Sequence, residues 1–394
     1  MAKFDVIVIG LGAVGSAATL HLARNGRRVL GIDRAQPPHK LGSSHGETRI
    51  TRVAIGEGME YTPLAIRSHE LWRMIEDELG ADGAAPLLVP CGCLFIPGSG
   101  GVHGVKDFLE NIKTAADTYR IPHAVLGSGR EIRERFPQFN VGDDDKAFLD
   151  RLGGYVRPEA CIRAQLDLAR KAQPDCLCTN TTVTHYHASP RGVEVHCSNG
   201  ETFEADRLLI AAGAWLPGFL PEELRAMFKV TRQVMHWFEI GRHPERFAAA
   251  KCPVFIWDLG VRGGLESNIY GFPLTGEVAN GVKIANEEDT GAVHPDDVRR
   301  TVDPSETEKM YELYVRPHLP DLGPRSIRTE VCLYTRAPDH RFVIDRHPEH
   351  DRVMFASACS GHGFKHSPAI GEALAAILCD REPLVDLSPF RLRQ

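Results

Sequence analysis

The opening 33 residues constrain this chain more than any other stretch. Phe4-Asp5-Val6-Ile7-Val8-Ile9 is a short, β-branched apolar run that reads as a buried parallel strand. It stops at Gly10-Leu11-Gly12-Ala13-Val14-Gly15, and Ser16 to Arg24 continues as an Ala-rich helix closed by Asn25-Gly26. Arg28 to Ile32 is a second strand, with Asp33 at its end, 18 positions beyond Gly15. The glycines of such a unit serve three physical ends, namely a tight turn, close backbone approach to a pyrophosphate, and close packing of helix on strand. The helix N-terminus would face the phosphates, and Asp33 would accept hydrogen bonds from ribose hydroxyls. Glycines alone also fit a turn with no ligand. Placed within strand, helix, strand and acid, they point to a dinucleotide.

The rest of the chain must build something around that unit. At 394 residues it exceeds a usual single domain, so two domains are expected. A hydrophobic share of 43% with 25% charged residues excludes a disordered chain. The net charge of -6 argues against nucleic acid or an anionic membrane as partner. No apolar stretch reaches the roughly 18 residues of a membrane span, and the N-terminus lacks a basic segment with a cleavage site, so neither a transmembrane helix nor a signal peptide is expected. Ten scattered cysteines read as reduced thiols of a cytoplasmic enzyme. The close pairs Cys91-Gly92-Cys93 and Cys176-Leu177-Cys178 lack zinc-site spacing, so no metal is expected.

Further along, Thr62-Pro63 opens a helix that runs to Gly80, and Val105 to Arg120 and Pro158 to Ala172 read as amphipathic helices. Thr182 to Glu204 alternates about a hairpin turn at Ser198-Asn199-Gly200. Arg207 to Gly213 is a buried strand whose Ala-Gly end suits a second close approach to the nucleotide. From Phe228 to about Glu330 the chain is strand-rich, with turn signals at Gly263-Gly264 and Pro273. Short strands at Val343 to Asp345 and Val353 to Ser357 precede a terminal helix, Pro368 to Leu378. The first, middle and last parts therefore feed the nucleotide domain (1–84, 152–220 and 330–394). The intervening pieces, 85–151 and 221–329, build a substrate domain.

Several patches in this order resemble one family, the monomeric sarcosine oxidase and N-methyltryptophan oxidase group of FAD amine oxidases. They are Pro37-Pro38-His39, Gly42-Ser43-Ser44-His45-Gly46-Glu47-Thr48-Arg49, Tyr270-Gly271-Phe272-Pro273, Cys332-Leu333-Tyr334-Thr335 and Ser360-Gly361-His362-Gly363-Phe364-Lys365. The resemblance implies a two-domain α/β fold, with a Rossmann-type FAD-binding domain plus an antiparallel-sheet substrate domain, as in glutathione reductase and p-hydroxybenzoate hydroxylase. It implies FAD held by Gly10, Gly12, Gly15, Asp33, Ser43, Gly213, Gly361, Gly363, Phe364 and Lys365, and carried covalently by Cys332. A thiolate is the competent nucleophile for that bond, and basic neighbours favour it. The competing fate of such a cysteine is burial as a small hydrophobe.

The same resemblance gives Arg52 and Lys365 to the substrate carboxylate, for which a guanidinium offers a matching fork; otherwise Arg52 is half of a surface ion pair. It gives Lys283 to reaction with oxygen, where a fixed positive charge stabilises developing negative charge, with Arg49 as helper. Tyr270 and Tyr334 become pocket tyrosines, and His45 a histidine near the flavin. Two departures stand out. Glu287 replaces a histidine four residues after Lys283, and Ile55 replaces an aromatic residue. Glu287 opens the acidic run Glu287-Glu288-Asp289, which reads either as a solvated loop or, as in glycated-amino-acid oxidases, as a substrate contact. The expected chemistry is oxidation of a secondary amine by molecular oxygen to aldehyde, primary amine and hydrogen peroxide in a monomeric enzyme. An N-methyl amino acid leads as substrate, with a fructosyl amino acid or a cyclic imino acid such as pipecolate as alternatives. An NAD-dependent dehydrogenase and a non-catalytic flavin carrier are the remaining readings.

Overall fold

The structure, a computed structural model, describes residues 3–80, 85–262, 265–287 and 291–393. Among these residues the strands form three sheets. The first grows from Phe4–Ile9, which pairs in parallel with Val29–Ile32 on one side and with Thr202–Ile210 on the other. Leu177–Cys178 continues the sheet beyond Val29–Ile32, and His350–Ser357 pairs in parallel with the second half of Thr202–Ile210. Ile7, Val8, Leu208, Leu209, Ile210 and Phe355 are fully buried, as expected of parallel strands covered on both faces. Helix Ala13–Arg24 packs between Pro158–Ala172 and Ser367–Leu378. The approach to the last helix is close: a Cβ on Gly371 would lie 2.4 Å from that of Ala17.

The predicted hairpin turn at Ser198-Asn199-Gly200 joins Gly192–Cys197 to Thr202–Ile210. A second reversal at Pro190-Arg191, which the alternation did not reveal, adds Val183–Ser189 to the sheet. The helix expected from Val105 runs instead from Phe108 to Thr118. Gly104 takes φ +75°, and Val102 and Val105 form a small bridge that delays its start.

The second sheet is eight-stranded: Leu322–Arg336, Lys229–Ile240, Val282–Asn286, Leu265–Gly271, Val254–Arg262, Cys93–Ile96, Ala147–Asp150 and His123–Leu126, in that spatial order. All neighbours are antiparallel except Val254–Arg262 with Cys93–Ile96. Phe139, Phe238, Phe247, Phe255 and Trp257 fill one face. A small third sheet, Arg49–Thr51, Gly154–Val156 and Leu88–Val89, lies between. The fold is therefore the mixed α/β architecture expected. The expected turn at Gly263-Gly264, and Glu288 and Asp289 of the acidic run, lie outside the described residues. Among the described residues no helix is long and apolar enough to cross a membrane.

Candidate active site

A cavity of about 430 Å³ opens at the C-terminal edge of the first sheet and continues to the face of the second. Its volume falls within the range of small-molecule sites. One end is lined by Gly10, Gly12, Val14 and Asp33, and the other by Tyr270, Glu287, Tyr334 and Lys365.

At the first end the three glycines divide the work. Gly10 has φ +89°, and a Cβ there would sit 2.6 Å from the carbonyl oxygen of Ala211 on the neighbouring strand. A Cβ on Gly15 would be 1.8 Å from the Gly10 oxygen, so Gly15 sets the helix onto the strand rather than lining the cavity. Gly12, which precedes the helix and makes no side-chain cap, leaves the first amides of Ala13–Arg24 facing the cavity. Asp33 is buried and braced by Leu11 N–H at 2.8 Å, by Ala35 N–H at 3.0 Å and by His39 at 3.2 Å. Oδ1 takes both Ala35 and His39, whereas Oδ2 accepts only from Leu11 and keeps a lone pair for a ribose hydroxyl. This cradle fits an adenine dinucleotide: open helix amides for phosphate and an oriented carboxylate for sugar. Gly213, at φ +55° with nothing within 4 Å of a built Cβ, lines the same end.

Between the ends, Ser43 donates to the Leu333 oxygen at 2.5 Å while its own carbonyl accepts from Arg49 at 2.7 Å. Arg49 also lies 3.4 Å from the sulfur of Cys332. Burial pushes the Cys332 thiol up, and the Arg49 and Lys283 charges oppose that shift. Cys332 sits on the Leu322–Arg336 strand opposite Gln233. Lys283 is one layer back from the cavity wall, donating to the Gly46 oxygen at 2.8 Å and the Thr48 oxygen at 2.6 Å, with its ammonium 4.0 Å from the Phe272 ring centre. Burial, followed by the Arg49 charge, holds its pKa well below the usual lysine range. His45 is buried too. Its Nδ1 lies 3.1 Å from Glu330, and its Nε2 has no partner among the described residues.

The far end is a cluster of buried charge. Tyr270 and Tyr334 touch through their hydroxyls at 3.3 Å, and burial pushes Tyr270 up to about 12. Arg52, 3% exposed, lies 2.7 and 2.6 Å from the two oxygens of Glu57. Lys365 donates to the His362 oxygen at 2.6 Å and stands 3.8 Å from Glu57. Burial brings Lys365 down to about 7 against the pull of Glu57. Glu287 lines the cavity with its Oε1 2.9 Å from His103, so its carboxylate belongs to the wall rather than to a solvated loop. Gly361, at φ +86°, keeps open the space beside Tyr334 and Glu287, and Phe364 stacks on Trp72. Gly363 packs where a Cβ would be 1.7 Å from the Ala358 oxygen. Ile55 does not line the cavity; it is fully buried in the core against the first sheet.

Sequence reasoning missed Glu57, His103 and Asn268. Glu57 follows Arg52 by five residues, and His103 ends the glycine-dense stretch Gly98-Ser99-Gly100-Gly101-Val102. That density was the available signal. Asn268, two residues from Tyr270 on the same strand face, lines the cavity with no side-chain hydrogen bond among the described residues.

Comparison with known proteins defines the class to which this geometry belongs. Residues 5–377 match the family "FAD dependent oxidoreductase" (DAO), and the chain belongs to it. It is 37% identical to a monomeric sarcosine oxidase of Streptomyces avermitilis over 94% of this chain and 92% of that one. It is 35% identical to an N-methyl-L-tryptophan oxidase of Yersinia pestis over 99% and 98% of the two chains. In fold it is similar to NikD, an amino acid oxidase of nikkomycin biosynthesis, with TM-score 0.83 at 21% identity over 100% and 98% of the chains. A glycine oxidase from Geobacillus kaustophilus follows at TM-score 0.76 and 19% identity over 100% and 99%. The chain is thus an FAD-dependent oxidoreductase of the family that contains the sarcosine and N-methyltryptophan oxidases.

Proposed function

We propose that this enzyme oxidises the secondary amine of an N-methyl amino acid, consuming molecular oxygen and water and releasing formaldehyde, the primary amine and hydrogen peroxide. The observation that carries the reading is the convergence of two buried cations, Arg52 and Lys365, on one carboxylate at the end of a dinucleotide cavity. That spot is built to hold a carboxylate, and the relatives named for N-methyl amino acids act on molecules that carry one beside the amine.

Bound FAD supplies the two-electron acceptor for the C–H bond beside the nitrogen. Gly10, Gly12, Asp33 and Gly213 would hold its adenosine and phosphates, and Ser43, Gly361 and Phe364 the region toward the ring, with Gly15 and Gly363 shaping the backbone. Cys332, with Arg49 beside its sulfur to favour the thiolate, would be the covalent anchor. Arg52 and Lys365 orient the substrate by its carboxylate, and positioning of this kind lowers the barrier by several kcal/mol. Tyr270 and Tyr334 form the polar wall next to the reacting carbon. Arg49 would place positive charge where oxygen is reduced, and Lys283 would add to it in its protonated form, against the burial that favours its neutral one; His45 is braced by Glu330 close by. The amine reacts in its neutral form, so reduction should quicken toward alkaline pH.

Anaerobic bleaching of the flavin by sarcosine, N-methyltryptophan, pipecolate, proline and fructosyl-glycine tests the reading. Rapid bleaching by an N-methyl amino acid is expected, and no bleaching by any secondary amine would sink it. A second reading, oxidation of a glycated amino acid, is favoured by Glu287 and Asn268 on the cavity wall; bleaching by fructosyl-glycine alone would establish it. Flavin that stays with acid-precipitated protein is the expected sign of the covalent link. We also take the enzyme to be cytoplasmic, in keeping with cysteines that form no disulfide among the described residues, and to be a monomer, which light scattering of the holoenzyme checks.

A further inference from the structure

His103 has no part in the chemistry above, yet it ties the substrate end together. It lies in the glycine-rich segment between strand Cys93–Ile96 and helix Phe108–Thr118. The root of that segment is fixed by Asp258, whose Oδ2 accepts the backbone N–H groups of Gly98, Gly100 and Gly101 at 3.2, 3.1 and 2.8 Å. At its tip His103 takes φ +53° and inserts its ring between two carboxylates. Nδ1 is 3.1 Å from Glu57 Oε1 and Nε2 is 2.9 Å from Glu287 Oε1. An ionised carboxylate only accepts, so both ring nitrogens must donate, and only the imidazolium has two N–H groups.

The surrounding charges make that proton consequential. Arg52, Glu57, His103 and Glu287 form an alternating buried chain, with Lys365 beside Glu57. While Lys365 keeps its proton, which burial limits to pH below about 7, three cations face two carboxylates and leave a place for one further anion, with Arg336 adding its charge near Glu287. Without the imidazolium charge that place is cancelled, and Glu287 confronts an incoming carboxylate unscreened in a low-dielectric pocket. The rings of His362 and His340 also face His103, at 5.0 and 6.5 Å. Burial holds the His362 pKa well below the usual histidine value, so it does not replace the charge.

We propose that His103 is a positioning residue for substrate: as an imidazolium clamped between Glu57 and Glu287, it sets the charge of the pocket so that Arg52 and Lys365 accept a single carboxylate. This rests on reading the far end as the substrate-carboxylate site. Burial alone would lower the His103 pKa, but the Glu287 and Glu57 carboxylates outweigh it and hold it at about 9.

The test uses the holoenzyme and trimethylglycine, a carboxylate with no oxidisable N–H, titrated by its perturbation of the flavin spectrum. At pH 6.5, where both His103 and Lys365 carry their protons, H103Q should bind it at least tenfold more weakly than the wild type, and H103Q/E287Q should recover to within about threefold. A merely structural histidine would give a double variant as weak as the single one or weaker, which overturns the proposal, as does unchanged binding in H103Q. Should H103Q fail to hold flavin, the wild type alone decides: its affinity should fall between pH 8 and 10, and a flat profile counts against the clamp. A wild type bleached by secondary amines that binds no trimethylglycine would overturn the clamp and keep the proposed activity. One that binds trimethylglycine with the pH dependence described, but is bleached by no secondary amine, would do the reverse.

Discussion

The two ends of the cavity are made in different ways. The dinucleotide end is mostly backbone: glycines that permit close approach, helix amides, and one braced carboxylate, all within residues 10–33 apart from Ala211 and Gly213. The end proposed for substrate is side-chain charge, gathered from Arg52 and Glu57, His103, Glu287 and Lys365, segments that are far apart in the chain. The first has little tolerance for added atoms. The second should tolerate many changes of shape but few changes of charge, because a buried charge without its partner costs several kcal/mol.

Four variants would break or sharpen that contrast. The largest effect is expected at Gly15. Its Cβ would overlap the Gly10 oxygen, so Gly15→Val should cost about 4 kcal/mol or more and abolish flavin retention; a flavin-loaded variant with a near-native melting temperature would disprove the packing argument. Next comes Lys283→Met, which should slow reoxidation by about 100-fold, the effect of removing one preorganised group, while changing reduction far less. Stopped-flow measurement of both half-reactions decides this, and equal losses in the two would refute the oxygen role. Asp33→Ala removes the ribose acceptor and unties Leu11, so flavin affinity should drop by roughly 10- to 100-fold with the fold intact. Reconstitution of flavin-free C332S and of C332S/D33A, the background keeping the flavin exchangeable, would measure it; equal affinity would remove Asp33 from the site.

The smallest effect concerns proton linkage at His103. Its pKa is raised in the folded state, so its stabilisation is complete below the unfolded value near 6.5 and is lost as pH climbs through about 9. The melting-temperature gap between wild type and H103Q should therefore narrow between pH 6.5 and 9.5, by ~1 °C for each kcal/mol involved in a chain of this length. Lys365, which titrates near 7, shares Glu57 with His103, so the narrowing above pH 8, beyond the Lys365 range, is the part that reports His103. A gap independent of pH would show that His103 is neutral in the folded protein.

Much of the site is legible in the chain itself. The Gly10–Gly15 unit, Asp33 and the hairpin at Ser198-Asn199-Gly200 are local signals, because their geometry is dictated by neighbours within a few residues. Glu287 is visible as an anomaly whose meaning stays open, since an acidic run looks the same whether solvated or buried. Ile55 is expected in the pocket but faces the core, a matter of which side of a turn it occupies. The reversal at Pro190-Arg191 escapes notice because period-two alternation continues on both sides of it.

The sequence alone determined the class of cofactor and the order of the elements, because turns, periodicity and a phosphate-binding helix entrance are short-range properties. Tertiary structure decided the partners of the charges. Whether Lys365 joins Arg52 beside Glu57, and whether one histidine stands between Glu57 and Glu287, depends on loops brought together across two sheets. Coulomb energy is set by that final distance and burial rather than by spacing along the chain.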